Sequence, residues 1–123
     1  MIADTSIWVD YFRGKSGMDL DVFRARLSLG SVVMAPVVLS ELLSSTQMTA
    51  AIESSLLQME FATTSAHYWR DAGRLRRRLA KLGVSASLAD CLIVQSCLEH
   101  GLPLLTRDDG IKKMGAKVGL VLV

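Results

Sequence analysis

Four acidic residues lie next to or within apolar segments and are candidates for catalysis or metal binding: Asp4, Glu41, Asp90 and Asp108. Asp4 directly follows the apolar start Met-Ile-Ala, and Asp108 follows Pro-Leu-Leu-Thr-Arg. Glu41 and Asp90 lie in apolar helical patterns, and neither has a lysine or arginine within one helical turn. Asp90 shares its predicted helical face with apolar side chains. Carboxylates on the buried side of an element are rare unless they are paired or bind a metal ion.

If these four carboxylates converge, the cluster needs a cation, because like charges at close range raise each other's pKa. Oxygen ligands of this kind suit Mg²⁺ or Mn²⁺, and no cysteine or histidine accompanies them as a zinc ligand would. A divalent cation held by carboxylates suits the hydrolysis of phosphate esters, since it polarises phosphoryl oxygens and activates water. The candidate chemistry is therefore metal-dependent attack of water on a phosphodiester.

Each acid taken alone also has a purely structural explanation. Asp4 could be the N-cap of a helix that begins near residue 6, and Asp108 could occupy a turn or cap position. Asp90 could form a capping pair with Ser87, although glutamate or glutamine is the usual partner at that spacing. Glu41 could be an ordinary exposed helical residue. The pattern alone leaves both explanations open.

The elements that must position these acids alternate along the chain. Short apolar segments predict strands at residues 1–4, 31–35, 59–63, 103–106 and 117–122. Helical patterns predict helices at residues 6–13, 20–29, 36–45, 49–58, 65–82 and 87–100, with a short helix after residue 107. Strand–helix alternation is typical of a parallel α/β sandwich, in which ligands bind beyond the carboxyl ends of the strands. Residues that follow strands are therefore the expected site.

Length and composition fit a single domain over residues 1–123. Half of the residues are apolar, as expected for a sheet covered on both faces, yet no apolar run approaches the roughly 18 residues of a membrane span. Cys91 and Cys97 fall on different sides of one predicted helix and cannot bridge there. We therefore expect a reduced, cytoplasmic protein with no secretion signal and no membrane association.

Four stretches in order resemble the PIN-domain family, specifically the VapC-type toxins: "DTSIWVDYFRG", "VVLSELLSS", "SLADCLIVQSCLEHGLPLLTRDD" and "KVGLVLV". The resemblance covers almost the whole chain. It implies a mostly parallel five-stranded sheet between helices and an endoribonuclease dependent on Mg²⁺ or Mn²⁺. It also implies a small VapB-like antitoxin as partner, a toxin homodimer, and a toxin–antitoxin hetero-oligomer.

The resemblance assigns site residues by motif. The family's four catalytic and metal-binding acids fall on Asp4, Glu41, Asp90 and Asp108, and two hydroxyls that orient ligands or phosphate fall on Ser6 and Thr106. One departure concerns the stretch after Thr106. Gly110 stands where family members often have a second acid, and Asp109 is out of register by one residue. Asp109 is therefore kept as a possible additional acid.

Basic residues give the nuclease interpretation a second line of support. Net charge is only +2, but without the four acids the remaining 14 basic and 8 acidic residues leave an excess of six positive charges. One predicted helix carries a dense basic series that includes Arg74, Arg77 and Arg78, and Arg13 follows the first helix. These arginines could contact RNA or the antitoxin. A solvated helix face is the alternative.

Three other protein classes also deserve comparison. A phosphate-accepting receiver domain would have paired acids after its first strand, and a haloacid-dehalogenase-type phosphatase would have an acid where Ser6 stands. Neither pattern fits this chain. A PIN-like module that binds RNA or protein without catalysis remains the alternative to the nuclease.

Overall fold

The computed structural model describes residues 1–123 and contains seven helices and two short strands. In chain order the elements are β1 (Ile2–Ala3), α1 (Thr5–Phe12), α2 (Met18–Ser28), α3 (Pro36–Leu43), α4 (Ala50–Leu57), α5 (Tyr68–Lys81), α6 (Leu88–His100), β2 (Leu104–Leu105) and α7 (Asp109–Val118). All seven predicted helices are present. None of them combines the length and the apolar character that a membrane span needs.

The sheet is parallel but short. β1 pairs with β2 in the register Ile2–Leu104 and Ala3–Leu105. Flanking segments continue in the parallel direction through single bridges only, which join Ile2 to Val33, Met34 to Phe61 and Leu104 to Leu122. Regular strand structure is thus confined to β1 and β2, and the prediction of a five-stranded sheet is not confirmed.

The strand predicted at residues 117–122 overlaps the end of a helix in the structure. Residues 117 and 118 belong to α7, which continues until Gly119 ends it in the left-handed region with φ +72°. The apolar residues Ile111, Met114 and Val118 recur at helical spacing and pack toward the core, so the helix persists where the run of valine and leucine suggested a strand. Only Leu122 of the predicted strand forms a bridge to the sheet.

Helix α6 lies at the centre of the molecule. Seven consecutive residues, Cys91 to Cys97, are buried, so this helix is covered on nearly every side. Tyr68 at the start of α5 donates its hydroxyl to the Leu92 carbonyl at 2.6 Å, which ties α5 to α6 inside the core. Both cysteines are free, as the sequence predicted.

The fold brings the ends of the two strands together. Because β1 and β2 are parallel neighbours, Asp4 after β1 and Thr106 after β2 leave the sheet at the same edge. The backbone N–H of Asp4 donates to the Leu105 carbonyl at 3.0 Å, which fixes this junction. Helix α1 therefore begins beside the segment that leads into α7.

Candidate active site

Asp4 is both a helix cap and a buried carboxylate. Its side chain is at the N-terminus of α1, where Oδ1 accepts hydrogen bonds from the Ile7 N–H at 3.1 Å and the Ser6 hydroxyl at 2.6 Å. Oδ2 accepts the Thr106 hydroxyl at 2.5 Å. Asp4 is only 2% exposed. The two roles that the sequence left open are thus compatible.

Thr106 links Asp4 to Asp108. While its hydroxyl donates to Asp4, the same oxygen accepts the Asp108 N–H at 2.9 Å. Asp108 in turn caps α7, since its Oδ1 accepts the Ile111 N–H at 3.1 Å. The Asp108 side chain lies at the surface, so a carboxylate that is fixed in place also remains accessible.

Glu41 differs from expectation because it is exposed rather than buried. Helix α3 turns Val38 and Leu42 into the core, whereas Glu41, at the edge of this buried stripe, is exposed. The Thr5 hydroxyl donates to Glu41 Oε1 at 2.8 Å, which connects α3 to the start of α1. Sequence reasoning missed Thr5, although it lies between Asp4 and Ser6, the two residues that were singled out.

Asp90 lies half-buried in the first turn of α6. The Ser87 hydroxyl accepts the Asp90 N–H at 3.1 Å, so Ser87 is the helix cap and the Asp90 carboxylate has no capping role. Burial raises the pKa of Asp90, the Ser87 hydroxyl offsets part of this, and the negative charges of Asp108, Glu41 and Asp4 raise it further.

Electrostatic coupling relates the four acids to one another. Burial raises the pKa of Asp4, hydrogen bonds from Ser6, Thr106 and Ile7 counteract the increase, and the charge of Asp108 adds to it. The charges of three acids likewise raise the pKa of Asp90, so the negative charges of these residues act unfavourably on one another. A nearby cation would reduce this repulsion.

The carboxylates do not form a closed metal cage. No group of three or more histidine, cysteine, aspartate or glutamate side chains is drawn together closely enough to hold an ion. The donor set nevertheless fits a hard divalent cation, because it consists of carboxylate oxygens that repel one another.

The remaining predicted residues divide between the neighbourhood of the site and more distant surfaces. Ser6 contacts Asp4, as described above. Arg13 is exposed after α1 and lines a cavity of about 260 Å³ that also includes Glu41. Asp109, the first residue of α7, is exposed and makes no side-chain hydrogen bond or ion pair.

The basic face of α5 is separate from the acids. Arg74, Arg77 and Arg78 are all exposed. Arg74 and Arg78 line one shallow surface cavity and Arg77 lines another, and neither cavity includes any of the four acids. The structure leaves this face available for an extended ligand.

An apolar groove lies beside the site, between α1, α2 and α4. It has a volume of about 420 Å³. Its lining is almost entirely apolar: Trp8, Tyr11, Phe12, Leu27, Ala51, Ile52, Ser55, Leu56 and Met59. Phe12 is 40% exposed at this groove, whereas Trp8 is buried against Phe23 of α2. The groove adjoins the cavity of Arg13 and Glu41, because Phe12 and Ile52 line both.

Arg107, which sequence reasoning also missed, occupies the position between Thr106 and Asp108. Its guanidinium donates to both carboxylate oxygens of Asp19 and to Asp10. A basic residue between two site residues was visible in the sequence. Its partners were not, because they lie 88 and 97 positions away in the chain.

Comparison with known proteins agrees with this geometry. The sequence profile of the PIN domain matches residues 1–117. Among solved structures, the chain superimposes on VapBC2 from Rickettsia felis bound to a promoter DNA fragment, with a TM-score of 0.74, 20% identity, and 99% of this chain and 96% of that chain covered. VapBC-1 from nontypeable Haemophilus influenzae gives a TM-score of 0.74 at 19% identity, with 99% and 95% covered.

A third structure, VapBC-5 of Mycobacterium tuberculosis, is described as a member of the VapBC family of toxin–antitoxin systems. It matches with a TM-score of 0.59 and 23% identity, covering 92% of this chain and 88% of that chain. The profile match extends over nearly the whole sequence and includes all four acids. The chain belongs to the PIN-domain family.

Proposed function

We propose that the protein is a metal-dependent endoribonuclease and the toxin of a VapBC-type toxin–antitoxin pair. The observation that supports this most directly is that a PIN fold carries Asp4, Glu41, Asp90 and Asp108, and that the charges of the other three raise the pKa of Asp90. Carboxylates that are gathered without basic partners are costly unless they serve to bind a cation. RNA as substrate makes the cytoplasm the expected site of action.

The four acids are the residues that would hold Mg²⁺ or Mn²⁺. When bound, the ion supplies an activated water and charge stabilisation for the phosphoryl oxygens. The side chains of the protein hold the acids in position. Thr106 holds the carboxylate of Asp4 and the backbone of Asp108, and Ser6 fixes the second oxygen of Asp4. Glu41, which is exposed and accepts the Thr5 hydroxyl, would orient the attacking water.

Arginines supply the attraction for RNA in this proposal. Arg13 shares a cavity with Glu41, so a phosphate bound by Arg13 would lie beside the acids. Arg74, Arg77 and Arg78 form an exposed basic face on α5 that suits a longer stretch of backbone or an acidic partner. Asp109 stays a possible additional acid, since its exposed side chain follows Asp108 directly.

A second candidate, a PIN-like module that binds RNA or protein without cleaving RNA, rests on a specific observation. In this conformation no three carboxylates are close enough to hold an ion. If Glu41 and Asp90 cannot approach Asp4 and Asp108, the protein would bind RNA and leave it intact. Metal binding and cleavage therefore have to be measured separately.

The deciding experiment incubates purified protein with a structured RNA in Mg²⁺ and, in parallel, in EDTA. We expect cleavage with Mg²⁺ only, and loss of that cleavage in Asp4→Asn, which keeps an oxygen to cap α1. Asp21→Asn is the matched control because Asp21 is an exposed acid on α2 that forms only a surface ion pair with Arg24. Equal decay of RNA in Mg²⁺ and EDTA would contradict the nuclease, and tight RNA binding without cleavage would favour the binding module.

The partner proposal follows from the structural neighbours and the apolar groove. Those neighbours are toxin–antitoxin complexes, and an amphipathic helix of a small antitoxin would suit a groove lined by aromatic and aliphatic side chains. We propose a VapB-like antitoxin in this groove, and toxin homodimers joined into a larger assembly. Promoter DNA is bound in the Rickettsia felis structure, so DNA binding by the whole assembly belongs to the same proposal.

Co-expression with a candidate small antitoxin, sought in a gene adjacent to that of this protein, tests this placement. Ala51→Arg introduces a charge into the groove, while Ser54→Arg places the same charge on the exposed side of the same helix. We expect only Ala51→Arg to lose the co-purified partner. Retention of the partner by both variants would place the antitoxin elsewhere on the protein.

A further inference from the structure

The side chain of Arg107 makes more hydrogen bonds than any other side chain at the surface of the protein. Its Nε and Nη2 donate to the two oxygens of Asp19 at 2.5 and 2.6 Å, which makes a bidentate pair. Nη1 donates to Asp10 Oδ2 at 3.0 Å, and Nη2 also donates to the Ser16 carbonyl at 2.9 Å. One side chain thus joins α1, the loop after α1 and the start of α2.

This guanidinium is committed to the protein rather than to a ligand. The Arg107 side chain is 27% exposed, and two carboxylates surround its single positive charge. Asp19 and Asp10 raise the pKa of Arg107 further, and Arg107 lowers the pKa of Asp19. An arginine already neutralised in this way has little charge left to attract a phosphate.

The backbone of Arg107 belongs to the segment that carries the acids. Thr106 before it donates to Asp4, and Asp108 after it caps α7. The Arg107 N–H itself points to the Ser6 hydroxyl at 3.4 Å. A residue anchored through its side chain to α1 and α2 therefore lies between the two hydrogen-bonded elements of the candidate site.

Gly17 makes the cluster possible. Its φ is +140°, and a Cβ there would lie 2.6 Å from Arg107 Nη2 and 2.7 Å from Asp19 Oδ1. A side chain at position 17 would thus be strained and would collide with the bidentate pair. Glycine at position 17 therefore leaves free the space that the Arg107–Asp19 pair occupies.

We propose that Arg107 is a positioning residue that, through Asp10 and Asp19, fixes the Asp108 carboxylate relative to Asp4. The inference rests on the proposed function for its consequence in catalysis, but the fixation itself does not depend on it. Without the anchor, the segment between Thr106 and α7 keeps only the Thr106 hydroxyl, the long Arg107 N–H bond to Ser6 and the Asp108 cap, and Asp108 would sample positions unsuited to sharing a cation with Asp4.

The experiment compares Arg107→Gln, Asp19→Asn, their double variant and a charge control, Lys113→Gln, an exposed residue of α7. Amide hydrogen exchange in EDTA reports the metal-free protein. We expect exchange at the Ile111 N–H, which donates to Asp108, to be about 10-fold faster in Arg107→Gln and unchanged in Lys113→Gln.

Mg²⁺ titration of the melting temperature gives a second readout that needs no RNA. We expect the Mg²⁺ concentration at half of the effect to rise about 10- to 100-fold in Arg107→Gln, with a similar rise in Asp19→Asn. The double variant should be no worse than Arg107→Gln, because both changes remove the same link. In cleavage assays the loss should appear in kcat, with KM for RNA nearly unchanged.

Two results would overturn the inference. A lower melting temperature with unchanged Ile111 exchange and an unchanged Mg²⁺ midpoint would make Arg107 a general stabiliser only. Weaker RNA binding in EDTA for Arg107→Gln but not for Asp19→Asn would make it a phosphate contact. If the wild-type protein cleaves no RNA, the proposed function fails, while amide exchange still decides whether Arg107 fixes Asp108.

Discussion

The two sides of the candidate site are built differently. On one side, Asp4 and Asp108 are helix caps joined through the buried Thr106 hydroxyl. On the other side, Glu41 is exposed with a single hydrogen bond from Thr5, and the Asp90 carboxylate is left free by a cap that Ser87 provides. Capping satisfies backbone N–H groups that the fold must satisfy in any case. Folding alone therefore fixes the carboxylates of Asp4 and Asp108. It determines the carboxylate positions of Glu41 and Asp90 only approximately.

This difference explains how a protein can gather acids that repel one another. The fixed side is stabilised by hydrogen bonds that offset part of the cost of burying Asp4. On the other side, called the adjustable side below, no hydrogen bond links Glu41 to Asp90, and no three acids are close enough together to hold an ion. We infer that a bound cation completes the site from the Glu41 and Asp90 side.

The largest expected effect comes from removing one charge on the fixed side. Asp4→Asn should lower RNA cleavage about 1,000-fold, at the upper end of what loss of one transition-state-stabilising group costs. The asparagine oxygen can still accept the Ile7 N–H, and removal of a buried charge whose pKa is raised offsets the loss of the acceptor for the Thr106 hydroxyl, so the melting temperature in EDTA should change little. An early-melting Asp4→Asn variant that still cleaves RNA would show that Asp4 is only a cap.

A second prediction concerns the adjustable side. Asp90→Asn should lower cleavage about 100-fold and raise the metal-free melting temperature, because a partly buried charge near three other acids is removed. Paired cleavage and melting assays in EDTA and Mg²⁺ measure both effects. A variant with lower stability and normal cleavage would show that the Asp90 carboxylate supports α6 instead.

Two matched threonine-to-valine changes test the comparison most directly. Thr106→Val removes a buried hydroxyl that donates to Asp4 and accepts from Asp108, and should cost about 2 kcal/mol of unfolding free energy. It should also reduce cleavage about 10- to 100-fold. Urea denaturation and cleavage rates provide the measurements. Equal effects of Thr106→Val and Thr5→Val would remove the distinction between the two sides.

Thr5→Val is the smaller member of the pair. The lost hydroxyl donates to an exposed Glu41, so unfolding free energy should change by less than about 0.5 kcal/mol. Cleavage should fall less than about 10-fold, since water can replace the hydroxyl as donor. A loss as large as that of Glu41→Gln would mean that Thr5 fixes Glu41 firmly.

The smallest effect concerns acid stability around Arg107. Hydrogen bonds from Lys15 and Arg107 lower the pKa of Asp10, and Arg107 lowers the pKa of Asp19. A carboxyl whose pKa is lowered by folding adds stability above its usual pKa range, and that stability is lost as the pH falls. Arg107→Gln should therefore show a flatter decline in melting temperature from about pH 6 to about pH 3. Parallel curves for wild type and variant would contradict this.

Local signals predicted much of the architecture. Residues 87–100 were predicted as a helix and form α6 at Leu88–His100, because a serine cap and a following glycine define its ends. Helix α5 begins later than predicted, at Tyr68, since Ser65 instead bonds Glu99 of α6. Such a contact across 34 positions leaves no signal in a sequence window.

The four acids could be chosen from the sequence because each interrupts an apolar pattern, and the motifs resembled one family. Whether each acid is buried or exposed could not be predicted in the same way. Glu41 was expected on a buried face and is exposed, because the direction in which α3 packs depends on its neighbours. The five predicted strands likewise reduce to two regular ones, since pairing depends on how closely separate segments approach.

The sequence by itself determined the order of the seven helices, the side chains available to cap them, and the types of the candidate ligands, because these depend on residues within a few positions of one another. Only the tertiary structure decided that Thr106 connects those caps, that Thr5 holds Glu41, and that Arg107 reaches Asp10 and Asp19. Hydrogen bonds between distant segments require specific distances and directions, and packing of the whole chain sets both.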